Sequence, residues 1–192
     1  MVEERPGGCS GISRGGQMTR TGIVAALGVV LAMGAAECTA AASRMVAAPL
    51  SWRVLASHNA ERARWRVPAM NWDPGLAAAA AVYAAQLAAT GRWGHSPRAA
   101  RPGQGENLWM GTRGYFTPEQ MVGGWLSEGR FFRAGVFPMV SRTGNWSDVG
   151  HYSQVIWRGT TKVGCAIRSS RSNDYLVCRY SPHGNVDGRN VA

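Results

Sequence analysis

The sequence predicts an α+β domain in which helices pack against a small antiparallel sheet. Three segments carry helix-start signals or an apolar stripe at helical spacing. Two alternating segments near the C-terminus, separated by a short polar turn, form a β-hairpin pattern, and strands joined in this way pair antiparallel. Three helices and about three strands in a chain of 192 residues favour one mixed domain.

The helices are predicted from their start and stop signals. The first covers residues 51–66. The second begins at Asp73, with proline at its first position, and ends at Gly91. The third begins at a capping box over 117–120. Its apolar stripe continues to Phe132, so we expect one helix through that residue.

The C-terminal hairpin can be tested by its register. Segments 163–168 and 176–180 alternate in polarity, and folding the chain about 171–172 places Cys165 opposite Cys178. The same register pairs further apolar residues: Val163 with Tyr180, and Ile167 with Leu176. We therefore predict a disulfide between Cys165 and Cys178. A zinc site is not expected here, because no further thiol or imidazole lies nearby in the sequence.

The N-terminal residues 1–42 have the pattern of a secretory signal peptide. Arg20 precedes an apolar run over 23–36, and small residues follow as far as Ala42, where cleavage fits best. Met18 is an alternative start, and an uncleaved membrane anchor is the alternative to cleavage. The prediction is a secreted, periplasmic or extracellular protein whose residues 43–192 form a single domain.

Composition narrows the function classes. No apolar run reaches the roughly 20 residues that a spanning helix needs, which argues against a polytopic membrane protein. Lys and Arg number 21 against 11 Asp and Glu, which gives a net charge of +10. That charge favours an anionic partner such as an envelope component. No basic stripe interleaved with aromatic residues is present, so we expect no nucleic-acid partner.

Four polar residues stand among apolar or aromatic neighbours: His95, Glu106, Glu128 and His151. Each one alone is more often structural, as a satisfied core histidine or a glutamate at the rim of a helix stripe. Together they are the groups that a divalent metal site or an acid–base pair uses. By contrast, His58 is expected to be a buried structural residue, and His183, in a turn, is expected to be exposed.

The chain resembles the CAP superfamily of cysteine-rich secretory, antigen-5 and pathogenesis-related proteins. Four motifs of that superfamily occur in order: HNAER at 58–62, GENL at 105–108, GHYSQVIWRGT at 150–160 and CRYSPHGN at 178–185. The resemblance implies an α-β-α sandwich. It also implies a central cleft built from His95, Glu106, Glu128 and His151, the same four residues that polarity selects.

The resemblance leaves the function open. The first hypothesis is a secreted binding module that holds a divalent cation, zinc by preference, through His95 and His151, with a lipid or sterol in a separate groove. The second is a metal-dependent, protease-like hydrolase in which Glu106 or Glu128 is the general base. The third is adhesion to an anionic envelope through the net positive charge. The sequence favours a non-enzymatic function and does not predict an oligomeric state.

Overall fold

The computed structural model describes residues 48–192, which form four α-helices, four strands and three short 3-10 turns. The helices are α1 (Leu50–Arg64), α2 (Pro74–Thr90), α3 (Pro118–Leu126) and α4 (Gly150–Ile156). The strands are β1 (Asn71–Trp72), β2 (Gly105–Thr112), β3 (Lys162–Ser169) and β4 (Asn173–Ser181). The 3-10 turns are Arg98–Ala100, Ser127–Phe131 and Trp146–Val149. The predicted signal peptide, residues 1–42, lies outside the described residues.

The predicted caps of the second and third helices are confirmed. The Asp73 side chain accepts a hydrogen bond from the backbone amide of Leu76 at 3.0 Å, and Gly91 ends α2 with a φ of 66°. The Thr117 hydroxyl accepts from the amide of Gln120, whose side chain accepts in return from the Thr117 amide. These short-range contacts satisfy backbone donors that a helix start leaves unpaired.

The predicted extent of the third helix is wrong. Helix α3 ends at Leu126, and the chain continues as the 3-10 turn Ser127–Phe131, so Phe132 is not on the helix. The tighter turn brings the backbone against a neighbouring ring: a Cβ at Gly129 would lie 2.7 Å from the Tyr152 side chain. Glycine allows this close approach and also lowers the preference for a continuing helix.

The sheet has the strand order β1-β3-β4-β2. Its hairpin has the predicted register, in which Cys165 lies opposite Cys178 and the two form a disulfide. The antiparallel prediction is confirmed for β2, β3 and β4. The two-residue β1 instead pairs parallel with β3. No hairpin joins β1 to β3, because three helices and β2 lie between them in the chain.

Helices cover both faces of this sheet, which confirms the α-β-α sandwich. Side chains of β3 and β4 alternate between the faces. One set packs against α1 and α3: Val163, Cys165, Leu176, Cys178 and Tyr180. The other packs against α2: Ala166, Tyr175 and Val177. Helix α2 approaches β3 closely at Gly164, where a Cβ would lie 2.2 Å from the Ala77 nitrogen.

A further apolar cluster supports the segment that contains α4. It joins apolar residues of the segment 132–149 to α4, to the residue after α4 and to the C-terminal segment: Phe132, Phe137, Val140, Val149, Tyr152, Val155, Ile156, Trp157 and Val191. Arg62 of α1 donates to the carbonyls of Val155 and Trp157 at 2.8 and 2.9 Å. Helix α4 is therefore held by the apolar cluster and, at its C-terminal end, by Arg62. No helix within residues 48–192 combines the length and the apolar character needed to cross a membrane.

Candidate functional site

A cleft of about 810 Å³ opens where the loop after α2, the start of β2 and the first turn of α4 meet. The segment around Pro138 and Trp146 and the segment after β4 complete its lining. Three of the four residues selected from the sequence line it: His95, Glu106 and His151. The fourth, Glu128, does not line the cleft, but its carboxylate contacts the His151 ring, which does.

The first pair is His95 and Glu106. Nδ1 of His95 lies 2.8 Å from Oε1 of Glu106. The loop that carries His95 is held by the Tyr83 hydroxyl, which donates to the Gly94 carbonyl at 2.6 Å. It is also held by Arg101, whose Nε donates to the Ser96 carbonyl at 3.1 Å. These contacts fix an otherwise irregular loop against the end of β2.

Glu106 is a buried carboxylate with a full set of donors. Its side chain is 0% exposed, and it accepts from the Ser96 amide at 2.9 Å and from the Ser96 hydroxyl at 2.8 Å. Nη2 of Arg179 lies 3.0 Å from Oε2 of Glu106. Burial opposes ionisation, but the hydrogen bonds from His95 and Ser96 and the charge of Arg179 outweigh it, so the pKa of Glu106 is lowered. Glu106 is therefore a carboxylate at neutral pH.

The second pair is His151 and Glu128. Nδ1 of His151 lies 2.6 Å from Oε1 of Glu128, and Oε2 of Glu128 accepts from the backbone amides of His151 and Tyr152, both at 3.0 Å. The His151 ring stacks on Trp125 with a centroid distance of 6.1 Å and an interplanar angle of 18°. The end of α3 and the start of α4 thus position this imidazole together.

Both pairs leave the same ring nitrogen free. The pairing carboxylates accept from Nδ1, and Nε2 of His95 and of His151 makes no hydrogen bond to any residue within 48–192. A hydrogen bond at one ring nitrogen selects the tautomer whose other nitrogen carries the lone pair. Each imidazole is therefore arranged to bind a cation or accept a proton at Nε2.

The other two described histidines differ from each other. His58 is 0% exposed, with Nδ1 2.8 Å from the Val54 carbonyl and Nε2 2.9 Å from the Tyr180 hydroxyl. Both of its nitrogens are used within the core, as expected of a structural histidine. The expectation that His183 is exposed is wrong: it is half-buried and lines the cleft, because its amide donates to the Gly103 carbonyl at 3.1 Å.

Sequence reasoning missed Arg179 as part of the site. The residue lies directly opposite Glu106 in the pairing of β2 with β4, and its side chain is 4% exposed. An arginine inside an otherwise apolar strand signals a buried charge that needs a partner. The partner itself is visible only once β2 and β4 are paired.

Residues 55–180 match the cysteine-rich secretory protein (CAP) family. Pathogenesis-related protein 1B of Nicotiana tabacum is 38% identical over 138 residues, covering 70% of this chain and 76% of that protein. The secreted protein RBT4 of Candida albicans is 34% identical over 139 residues, covering 71% of this chain and 36% of that protein.

Solved structures share the fold. A crystal structure of NaASP2 with Zn2+ has a TM-score of 0.65 and 24% identity, covering 75% of this chain and 85% of that chain. The structure of BmVAL-1 has a TM-score of 0.61 and 22% identity, covering 74% and 81% of the two chains. With its motifs, its sandwich and its match over 55–180, the chain belongs to the cysteine-rich secretory protein family.

Proposed function

We propose that the protein is an exported binding protein whose cleft holds a divalent cation, zinc by preference, through Nε2 of His95 and of His151. One observation carries the proposal: both imidazoles line one cleft, and each is oriented by a carboxylate at Nδ1. Carboxylate–histidine pairs of this kind orient metal-binding imidazoles and raise their basicity.

The two imidazoles suit a cation whose other coordination positions are not filled by the protein. Within residues 48–192, no three or more His, Cys, Asp or Glu side chains are arranged to hold one ion. The protein would thus supply two imidazoles, and water or atoms of a bound molecule would complete the coordination. A structure of the same fold was determined with Zn2+, which is in keeping with this choice of metal. A bound cation would supply positive charge that attracts anionic or carbonyl oxygens in the cleft.

The contacts favour binding over hydrolysis. A general base must be free to take a proton from its substrate. The Glu106 carboxylate already accepts from His95, Ser96 and Arg179, and its lowered pKa makes it a weak base. Glu128 is occupied by His151 and two backbone amides. Both glutamates are better suited to orienting an imidazole than to abstracting a proton.

Export and an apolar ligand are parts of the same proposal. The signal-peptide pattern over 1–42 supports export. The similarity to the secreted protein RBT4 supports it as well. The separate lipid or sterol groove is supported by two apolar side chains of one turn, Val136 and Met139, which are 46% and 67% exposed. Sedimentation with sterol-containing liposomes tests that groove, and Met139→Asp should reduce the bound fraction.

Calorimetric titration of the full chain with zinc at two pH values tests the cation site. The wild type should bind at pH 7.5 and lose affinity at pH 5.5, because an imidazole nitrogen must be unprotonated to bind a metal ion. The His95→Ala, His151→Ala double variant should lose binding. His183→Ala is the matched control, since it removes an imidazole from the same cleft and should leave the zinc affinity within twofold. Unchanged affinity in the double variant would place the cation elsewhere.

A further inference from the structure

The lining of the cleft contains charges that its own residues do not neutralise. Glu106 is matched by the buried Arg179 behind it. Arg101 lies near the same carboxylate, with Nε 3.9 Å from Oε1 of Glu106, so the remaining guanidinium and carboxylate of the lining are Arg98 and Asp187. Arg101 donates to the carbonyls of Ser96 and Gln104 and so holds the loop. The exposed Arg98 side chain makes no hydrogen bond or ion pair with any residue within 48–192 and is available to an anionic group.

The same cleft presents an aromatic platform. The Trp146 indole lines the cleft and is 46% exposed, although it packs edge-on against Phe137 at a centroid distance of 5.3 Å. Its ring also lies close to Gly150, where a Cβ would come within 3.2 Å of it. The indole is therefore held in place by protein on one side while a large part of its surface stays open. A fixed, open aromatic ring binds flat apolar faces.

One amide in the lining needs a donor. The side chains of Asn107, Gln154 and Asn185 are used within the protein: they bond to the carbonyl of His151, to Thr160 and Gly184, and to Ser153 and Gly150, respectively. Gln104 is different, because its Oε1 atom is buried and meets no donor among residues 48–192. An unpaired buried acceptor is costly, so a turn of this half-buried side chain toward a hydroxyl donor in the cleft would be favoured.

We propose that the cleft binds an acidic saccharide, a chain of sugar rings that carry carboxylates. Arg98 would receive a carboxylate, and Trp146 would stack on the apolar face of a pyranose ring. Gln104 would turn toward the cleft and accept from a hydroxyl. A cleft of about 810 Å³ has room for a short oligosaccharide. This inference names a second ligand for the cleft of the proposed function and does not depend on the cation.

Calorimetry with trigalacturonate and with its methyl ester tests the proposal. The two probes share their sugar rings and differ in charge. Titrations of the full chain are run in EDTA, so that a failure of the proposed metal site does not affect the result. The acid should bind about two- to fivefold more tightly than the ester, as expected for one carboxylate–guanidinium contact near the surface. Equal affinity for acid and ester, or no heat from either probe, would overturn the proposal.

Three variants assign the contacts. Arg98→Gln should remove the preference for acid over ester, whereas Arg168→Gln, which deletes an exposed arginine of β3 outside the cleft lining, should keep it. Trp146→Ala should weaken acid and ester alike, and Trp146→Phe should restore most of the loss if the ring is a stacking platform. Triglutamate binding as tightly as trigalacturonate would show that the cleft selects acidic peptides instead, and would refute the saccharide assignment.

Discussion

The two histidine–glutamate pairs of the cleft make the same contact but rest on different supports. Glu106 is a strand residue with a fully buried side chain, and it lies opposite a buried arginine. Glu128 lies in a 3-10 turn, its side chain is 20% exposed, and backbone amides at the start of α4 hold it. Each glutamate nevertheless presents a carboxylate oxygen to Nδ1 of its histidine within 2.8 Å.

Because of this difference, two pairs with the same geometry should contribute unequally to the stability of the fold. A buried carboxylate needs a counter-charge, because its desolvation is not otherwise offset. A carboxylate that is partly in water can be held by neutral amides alone. We therefore expect the pair His95–Glu106 to contribute strongly to the stability of the fold. The pair His151–Glu128 should contribute less.

The largest expected effect is the difference between the two glutamine substitutions. Glu106→Gln leaves Arg179 buried without its counter-charge and should lower the free energy of unfolding by about 3–5 kcal/mol. Glu128→Gln should lower it by only about 1 kcal/mol, since water can replace the lost acceptor. Urea denaturation at pH 7 measures both. Equal losses would mean that the two supports do not differ in the way described.

The next effect concerns His58, a histidine without a carboxylate. Burial lowers its pKa to about 4, so between pH 6.5 and 4 the unfolded chain takes up a proton that the folded chain excludes. Its contribution to stability is complete above pH 6.5 and should fall by about 3 kcal/mol as the pH drops to 4. Unfolding free energies of the wild type and His58→Gln should converge over that range. Parallel curves would contradict the assignment.

Zinc affinity provides a smaller and more local test. Glu128→Gln keeps the shape of the side chain but removes the charge that orients His151, and should weaken zinc binding about tenfold. Calorimetry measures the affinity, and a melting curve on the same sample measures stability. Glu119→Gln is the matched control, because that glutamate pairs with Arg53 and does not line the cleft. A changed melting temperature with unaltered affinity would remove Glu128 from the site.

The smallest effect on stability is expected from removing Asn107, which links the two histidine–glutamate pairs. Asn107, next to Glu106 in β2, donates from Nδ2 to the carbonyl of His151 at 3.1 Å. Asn107→Ala should lower the free energy of unfolding by about 1 kcal/mol. The exposed Asn190, changed to alanine, serves as the control and should have no effect in the same urea titration. A loss as large as that of Glu106→Gln would show that the pairs are strongly coupled.

The parts of the fold that depend on near neighbours in sequence could be predicted. The caps at Asp73 and Thr117 involve residues three apart, and the hairpin register follows from alternation on both sides of one short turn. The position of Glu128 was harder to predict. Its distance from Trp125 suits a helix face, but the chain leaves helical geometry at Leu126 because Gly129 packs against Tyr152.

The site itself depends on contacts between distant segments. Motif resemblance brought His95, Glu106, Glu128 and His151 together, whereas periodicity had no means of doing so. Neither approach found Arg179, whose role requires the pairing of β2 with β4, or the place of His183 in the cleft, which follows from a loop-to-loop hydrogen bond. Such contacts are set by tertiary packing, which local patterns do not encode.

The pairing of Glu106 with Arg179 across β2 and β4 also protects the alignment of the sheet. If β2 slipped by one residue, the carboxylate and the guanidinium would point to opposite faces, and each would be stranded in an apolar layer. The arginine at position 98 and the indole at position 146 belong to short connecting turns and are free of this restriction. Laboratory evolution of the cleft toward new ligands should therefore proceed through its turns, while the strands keep their charges.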